Sequence, residues 1–223
     1  TARTPIGKAY RGAFNATTPQ QLAAHAIEHA VARAGIDGSE ISDCVIGAAL
    51  QQGHSGGNIA RQAAIRAGLP VTVAGMSLDR QCASGMMAIA TAAKQVVMDG
   101  MDIVIGGGVE SISMVQPKVR AAPEAWLQEH KPAVYMTMIE TADIVAQRYG
   151  ISREDQDAYG LRSQQRIAAA QEAGLFADEI VPMTTTMAVK DKETGEISMK
   201  EALVDRDECN RPTTTLDGLG SLA

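Results

Sequence analysis

The chain has 223 residues, 45% of them apolar and 21% charged, which is enough hydrophobic material for a packed core and too much for a disordered segment. Its 20 Lys and Arg against 26 Asp and Glu leave a net charge of −6, without the basic footprint that nucleic acid or an anionic lipid surface requires. No apolar run approaches the roughly 18–20 residues needed to span a bilayer, so the expectation is a soluble globular protein without nucleic-acid or membrane partners.

Aromatics are scarce (one Trp, four Tyr, two Phe) beside 21 Gly and 11 Met, a composition suited to close helix–sheet packing. Cys44, Cys82 and Cys209 are odd in number and far apart. That excludes a disulfide framework or a CxxC metal site and fits a reducing compartment, with a cytoplasmic location expected.

The chain opens on TARTPIGKAYRG, without an initiator Met or signal pattern, and closes on RPTTTLDGLGSLA; it reads as a segment of a longer protein. Thr18-Pro19-Gln20-Gln21 supplies an N-cap, a Pro at the first helical position and a Gln reaching back. It predicts a helix that stops near Gly35. Ile41–Leu50 reads as a buried strand, and Asn58–Gly68 as a second helix that Leu69-Pro70 ends. Val71–Leu78 returns as a strand, a third helix runs from just after Cys82 to about Met98, and Asp102–Gly106 is a strand leading into Gly106-Gly107-Gly108. Helices between short apolar strands imply crossover units on a parallel or mixed sheet. Residues 114–135 read as irregular, Thr137–Tyr149 and Ser152–Gly174 as helices, and 180–210 as a hairpin around Glu193-Thr194-Gly195. The resulting division is an α/β core over 1–113 and a more irregular segment over 114–223.

Cys82 lies where a strand passes into a helix, followed by Ala83, Ser84 and Gly85, so the backbone can turn sharply and a ligand can approach. The positive end of the helix dipole favours a thiolate there, and the first helical amides, including that of Cys82, can donate to an oxyanion. From the local pattern, a nucleophile and a buried small residue both stay open. The triple glycine matches neither GxGxxG nor the P-loop pattern, so close backbone packing is the better reading. His25-x-x-Glu28-His29 has inverted zinc-protease spacing but no third ligand, which favours a solvated helix face. His54 and His130 sit in loops without a sequence link to Cys82. Cys44 reads as core, Cys209 as incidental, and Met86, Met87, Met136 and Met138 as core or adaptable apolar lining.

The stretches GGNIARQAAIRAGLP, LDRQCASGMMAIA and DIVIGGGVESISM resemble the N-terminal half of the thiolase family. The resemblance continues through MTMIETADIVAQRYGISREDQDAYGLRSQQRIAAAQEAGLF and DRDECNRPTTTLDGL, in the family's order and over nearly the whole chain. It implies a thiolase-like layered αβαβα fold, of which this is the N-terminal mixed-sheet half without its first strand. An inserted, irregular α-rich loop domain over 114–223 would hold coenzyme A. It further implies thiolysis of a 3-ketoacyl-CoA to acetyl-CoA and a shortened acyl-CoA, with coenzyme A as substrate, no permanently bound cofactor and no metal, in a homodimer or homotetramer.

By this resemblance Cys82 is the acyl-accepting nucleophile, its N–H one donor of an oxyanion hole, and Met138 lines the acyl and pantetheine pocket. The family's GHPxG, NEAF and CxGxG segments do not occur in the 223 residues, so the segment alone is expected to be inactive and poorly soluble. The alternatives are a biosynthetic acetoacetyl-CoA thiolase and a non-catalytic CoA- or lipid-binding relative. A β-ketoacyl synthase shares the fold, but residues 106–113 and the 151–174 helix look more like thiolase.

Overall fold

A computed structural model describes residues 1–119 and 122–222. The chain forms two compact units, one from Thr1–Val119 with Ala177–Cys209, the other from Arg120–Phe176 with Asn210–Ala223. Whereas the sequence reading places one boundary between 113 and 114, each unit is built from two separate stretches of chain.

The first unit centres on a parallel sheet of order β2-β1-β3. Its strands are β1 (Asp43–Gly47), β2 (Ala74–Leu78) and β3 (Val104–Gly108), with Val45 opposite both Met76 and Gly106. All five residues of β1 are buried, as a central strand covered on both faces requires. Helix α1 (Pro19–Ala34) precedes the sheet, and α2 (Ile59–Arg66) and α3 (Ser84–Asp99) are its crossovers.

Alternation along β1 sets the layers. Cys44 and Ile46 pack into a cluster with Ala23 and Ile27 of α1 and the fully buried Ile59, Ala60, Ala63 and Ala64 of α2. Val45 packs on the other face with Ala88 and Ala92 of α3. The strands are shorter than read from sequence at their N-terminal ends, and β3 extends through the triple glycine to Gly108. A short helix, α4 (Ile112–Val115), follows where irregular chain is expected from residue 114.

The α1 cap is as the sequence predicts. The Thr18 hydroxyl accepts from the Gln21 amide, the Gln21 side chain accepts from the Thr18 amide, and Gly35 closes the helix at φ 66°. The antiparallel hairpin β4 (Met183–Lys190) and β5 (Ile197–Val204) turns through the Asp191 carboxylate, which accepts from the Glu193 and Thr194 amides. It belongs with the first unit for visible reasons. Met183 and Val204 share an apolar cluster with Ala13 and Phe14, Thr17 and Thr185 hydroxyls meet at 2.6 Å in the interior, and Asn15 exchanges two hydrogen bonds with the Ala188 backbone. Arg3 pairs with both Glu179 and Asp207.

In the second unit, α5 (Ala125–His130), α6 (Met138–Tyr149), α7 (Arg153–Glu172) and α8 (Leu216–Gly220) contain no fully buried residue among those described. Helix α5 lies in the stretch read as irregular. Thr137 and Glu140 form a capping box on α6, and Ser152 caps α7. Arg153 holds Asp157 and the Leu219 and Leu222 carbonyls, while the Gln164 side chain accepts from Asn210 and from the Arg211 amide. No helix of the described residues is long and apolar enough to cross a membrane.

His25 corrects the solvated-face reading of α1. Its Nε2 is enclosed without a hydrogen-bond partner among the described residues. Burial, and then the His29 ring 4.7 Å away, hold the imidazole below the ordinary histidine range, against a smaller opposing pull from the Val181 and Pro182 carbonyls and Glu28. The folded state therefore favours neutral His25, and the unfolded chain takes up the proton first. This contribution to stability is whole above about pH 6.5 and declines as pH falls through the window below it. Thermal unfolding between about pH 7 and 5 should thus show a smaller acid loss in His25→Gln than in the unsubstituted protein; parallel curves would contradict it.

Candidate active site

The loops that leave the C-terminal ends of β1, β2 and β3 form one edge of the sheet, the place where open α/β sheets carry their ligand sites. They are joined by backbone bonds. The Ala48 amide donates to Leu78 O at 3.0 Å, and the Val109 amide to Gly47 O at 3.0 Å. The Glu110 carboxylate accepts from the Ala49 amide at 2.8 Å and the Leu50 amide at 3.3 Å. Glu110 thereby fastens the loop after β3 to the loop after β1.

Cys82 stands on the loop after β2, two residues before α3, and is exposed. The turn that presents it contains Gln81 at φ 51°, a left-handed conformation that costs a non-glycine residue about 1–3 kcal/mol. Neighbours hold it there. The Gln81 amide donates to Asp79 Oδ1 at 2.7 Å, and the Gln81 carbonyl accepts from the Ser84 hydroxyl at 2.6 Å and the Ser84 amide at 3.0 Å. The Ser84 hydroxyl also accepts from the Arg80 amide at 2.8 Å.

The start of α3 sits directly on the sheet because side chains are missing where the two meet. A Cβ on Gly47 would lie 2.2 Å from the Ser84 carbonyl carbon, and one on Gly108 3.0 Å from the Gly85 Cα. Gly106 is pressed as closely against Ile89 and Ala92. The triple glycine thus serves helix–sheet contact, as its pattern indicates.

The other candidates are dispersed. Cys44 is fully buried, and desolvation followed by Asp43 pushes its thiol up to about 12, which leaves it an inert core residue. Cys209 is exposed. His54 lies in a 3-10 turn whose carbonyl accepts from Gln20. His130 stacks on Trp126 at 4.5 Å in the second unit. Among the described residues no histidine hydrogen-bonds Cys82, and no group of three or more His, Cys, Asp or Glu is arranged to hold a metal ion. Met138 opens α6 in the second unit and is 73% exposed. A cavity of about 530 Å³ in the first unit is lined by the N-terminal segment, α1, β3 and Ser111–Ser113, with Cys82 outside its lining.

Cys82 is legible in the sequence, and Ser84 only as one of the small residues that follow it; the roles of Gly47, Gln81 and Glu110 are not. Gly47 interrupts the apolar run of the expected Ile41–Leu50 strand and Glu110 lies two residues after the triple glycine, so both had a positional signal. Gln81 had none, since glutamine is not a residue that favours positive φ.

The whole chain, residues 1–223, matches the family described as thiolase, N-terminal domain. It is 40% identical to a 3-ketoacyl-CoA thiolase of Bacillus subtilis over 225 residues, 99% of this chain and 56% of that protein. It is 40% identical to a beta-ketoadipyl-CoA thiolase of Pseudomonas aeruginosa over 238 residues, 99% of this chain and 57% of that protein. A peroxisomal 3-ketoacyl-CoA thiolase B of Mus musculus is 38% identical over 222 residues, 99% and 51% respectively. The chain spans about half the length of these relatives. Its parallel α/β sheet with crossover helices and its match from end to end agree: the chain belongs to the thiolase family, in the region of the family's N-terminal domain.

Proposed function

We propose that this chain is the nucleophile-bearing portion of a thiolase-type acyltransferase that cleaves a 3-ketoacyl-CoA with coenzyme A. The observation that supports it most is Cys82, an exposed thiol on a tightly held turn where a parallel strand meets a helix start. In the reaction the Cys82 sulfur attacks the 3-keto carbon. The bond between carbons 2 and 3 breaks, and its electron pair takes up a proton to release acetyl-CoA. The sulfur of a second coenzyme A then takes the acyl group, and Cys82 regains its proton. The Cys82 amide, ahead of the first turn of α3, would donate to the oxygen of the acyl thioester.

The proton acceptor for Cys82 would come from the part of the relatives that this chain does not span. Met138, exposed on α6, would line the path of the pantetheine arm, with the unit built from Arg120–Phe176 and Asn210–Ala223, and not the whole of 114–223, as the coenzyme-binding domain. The same chemistry run in reverse condenses acetyl-CoA with an acyl-CoA, two acetyl-CoA molecules in the biosynthetic case; the acyl pocket selects the chain length and metabolite concentrations set the direction of flux. A homodimer or homotetramer belongs to this reading, as does a cytoplasmic location, although relatives named as peroxisomal exist.

Peptide mass spectrometry of the native protein after incubation with acetyl-CoA should find one acetyl group, on Cys82. It should be removed by free coenzyme A and be absent from Cys82→Ser. An adduct confined to Cys209, or none, would contradict the reading. Under iodoacetamide at about pH 8, Cys82 and Cys209 should be alkylated and Cys44 spared until the protein unfolds.

A further inference from the structure

Ser84 ties together the turn before it, the start of α3 and the end of the central strand. The residue is 3% exposed. Its hydroxyl takes a hydrogen bond from the Arg80 amide at 2.8 Å and gives one to the Gln81 carbonyl at 2.6 Å, so the two residues before Cys82 are held by a single oxygen. Its own backbone rests on Gly47, at the end of the central strand. Between the two residues it holds and its own position lies the thiol, on a turn whose Gln81 is in the left-handed region.

We propose that Ser84 is a positioning residue for Cys82: its hydroxyl holds Gln81 in the left-handed conformation and so fixes where the thiol stands relative to the sheet edge. This rests on the proposed role of Cys82 in acyl transfer, but the mechanical part is separable from it. Without the hydroxyl, the Arg80 amide loses its acceptor and the Gln81 carbonyl keeps only the bond from the residue-84 amide, and Gln81, so loosened, shifts toward negative φ. The peptide planes on either side of it rotate, and the sulfur moves with them. Displacements of about 1 Å at a reacting atom cost about a hundredfold in rate. The substrate-binding surfaces are untouched, so the loss falls on kcat and not on KM.

The dependence on Gln81 supplies a test that ordinary loss of packing would fail. Glycine enters the left-handed region without steric penalty, so it should need the bracket less. In the full native protein, Ser84→Ala should lower kcat at least tenfold and change the rate of Cys82 alkylation by iodoacetamide, read by peptide mass spectrometry. KM and the alkylation of Cys209 should stay within about twofold. Adding Gln81→Gly to Ser84→Ala should recover a large part of that loss.

Wild-type Cys82 alkylation in folded Ser84→Ala, or no recovery in the double variant, would overturn the proposal. Should Ser84→Ala not fold, Ser84→Thr and Ser84→Val make the same comparison at matched volume. The hydroxyl-bearing variant should keep kcat near wild type and the other lose it at least tenfold; equal rates would overturn it. Absence of an acetyl group on Cys82 in the unsubstituted protein would instead remove the acyl-transfer role, while the alkylation rates would still decide the Ser84 bracket.

Discussion

The contact on which the first unit turns is between a missing side chain and a helix end. Gly47 closes the central strand, and the Ser84 carbonyl of α3 lies where its Cβ would be. Because α3 approaches that closely, Ala88 and Ala92 can cover Val45, and β3 can lie under the helix only with glycine at 106 and 108. Small residues on both sides trade contact area per residue for proximity. The gain is a helix start fixed to a strand end with little room for adjustment, since close-packed interiors deform poorly. The turn from Asp79 to Ala83 joins the end of β2 to that fixed helix start, and its path, including the left-handed Gln81, has to meet it.

Hydrogen bonds complete what packing begins. Glu110 and the backbone bonds from Ala48 and Val109 tie the three strand ends into one edge, and Ser84 and Asp79 hold the turn that carries Cys82. Thr17, Asn15 and the Phe14 cluster bind the hairpin to the N-terminal segment across more than 160 residues of sequence. Such long-range pairs carry no local signature. The second unit has a different character. Its helices are well capped yet leave Met138, Ile139 and Tyr149 at least 70% exposed, more apolar surface than capping chemistry accounts for.

How much was legible in the sequence follows the range of the interaction. Caps are local, so Thr18, Gly35, Thr137 and Ser152 announced their helices within a residue or so. Strand limits depend on which residues find a partner, so the reading from Val71 overran a turn before Ala74, and the reading that stopped at Gly106 missed that Gly107 and Gly108 pair with β1. The hairpin itself was legible from Gly195 and its flanking alternation, but its allegiance was not, because the clusters that hold it are distant in sequence. Cys82 was legible by residue type and position. The residues that support it were not, since Ser84 and Glu110 act through backbone groups of other segments.

If the Gly47 contact sets the position of Cys82, Gly47→Ala tests it with a single methyl group. The added carbon meets main chain, not a side chain that could swing aside, so the helix start must move. The expected result is a folded protein destabilised by about 1–3 kcal/mol, with Cys82 alkylated at a changed rate while Cys209 reacts as before. Wild-type stability together with an unchanged Cys82 rate would show that the turn does not depend on this contact.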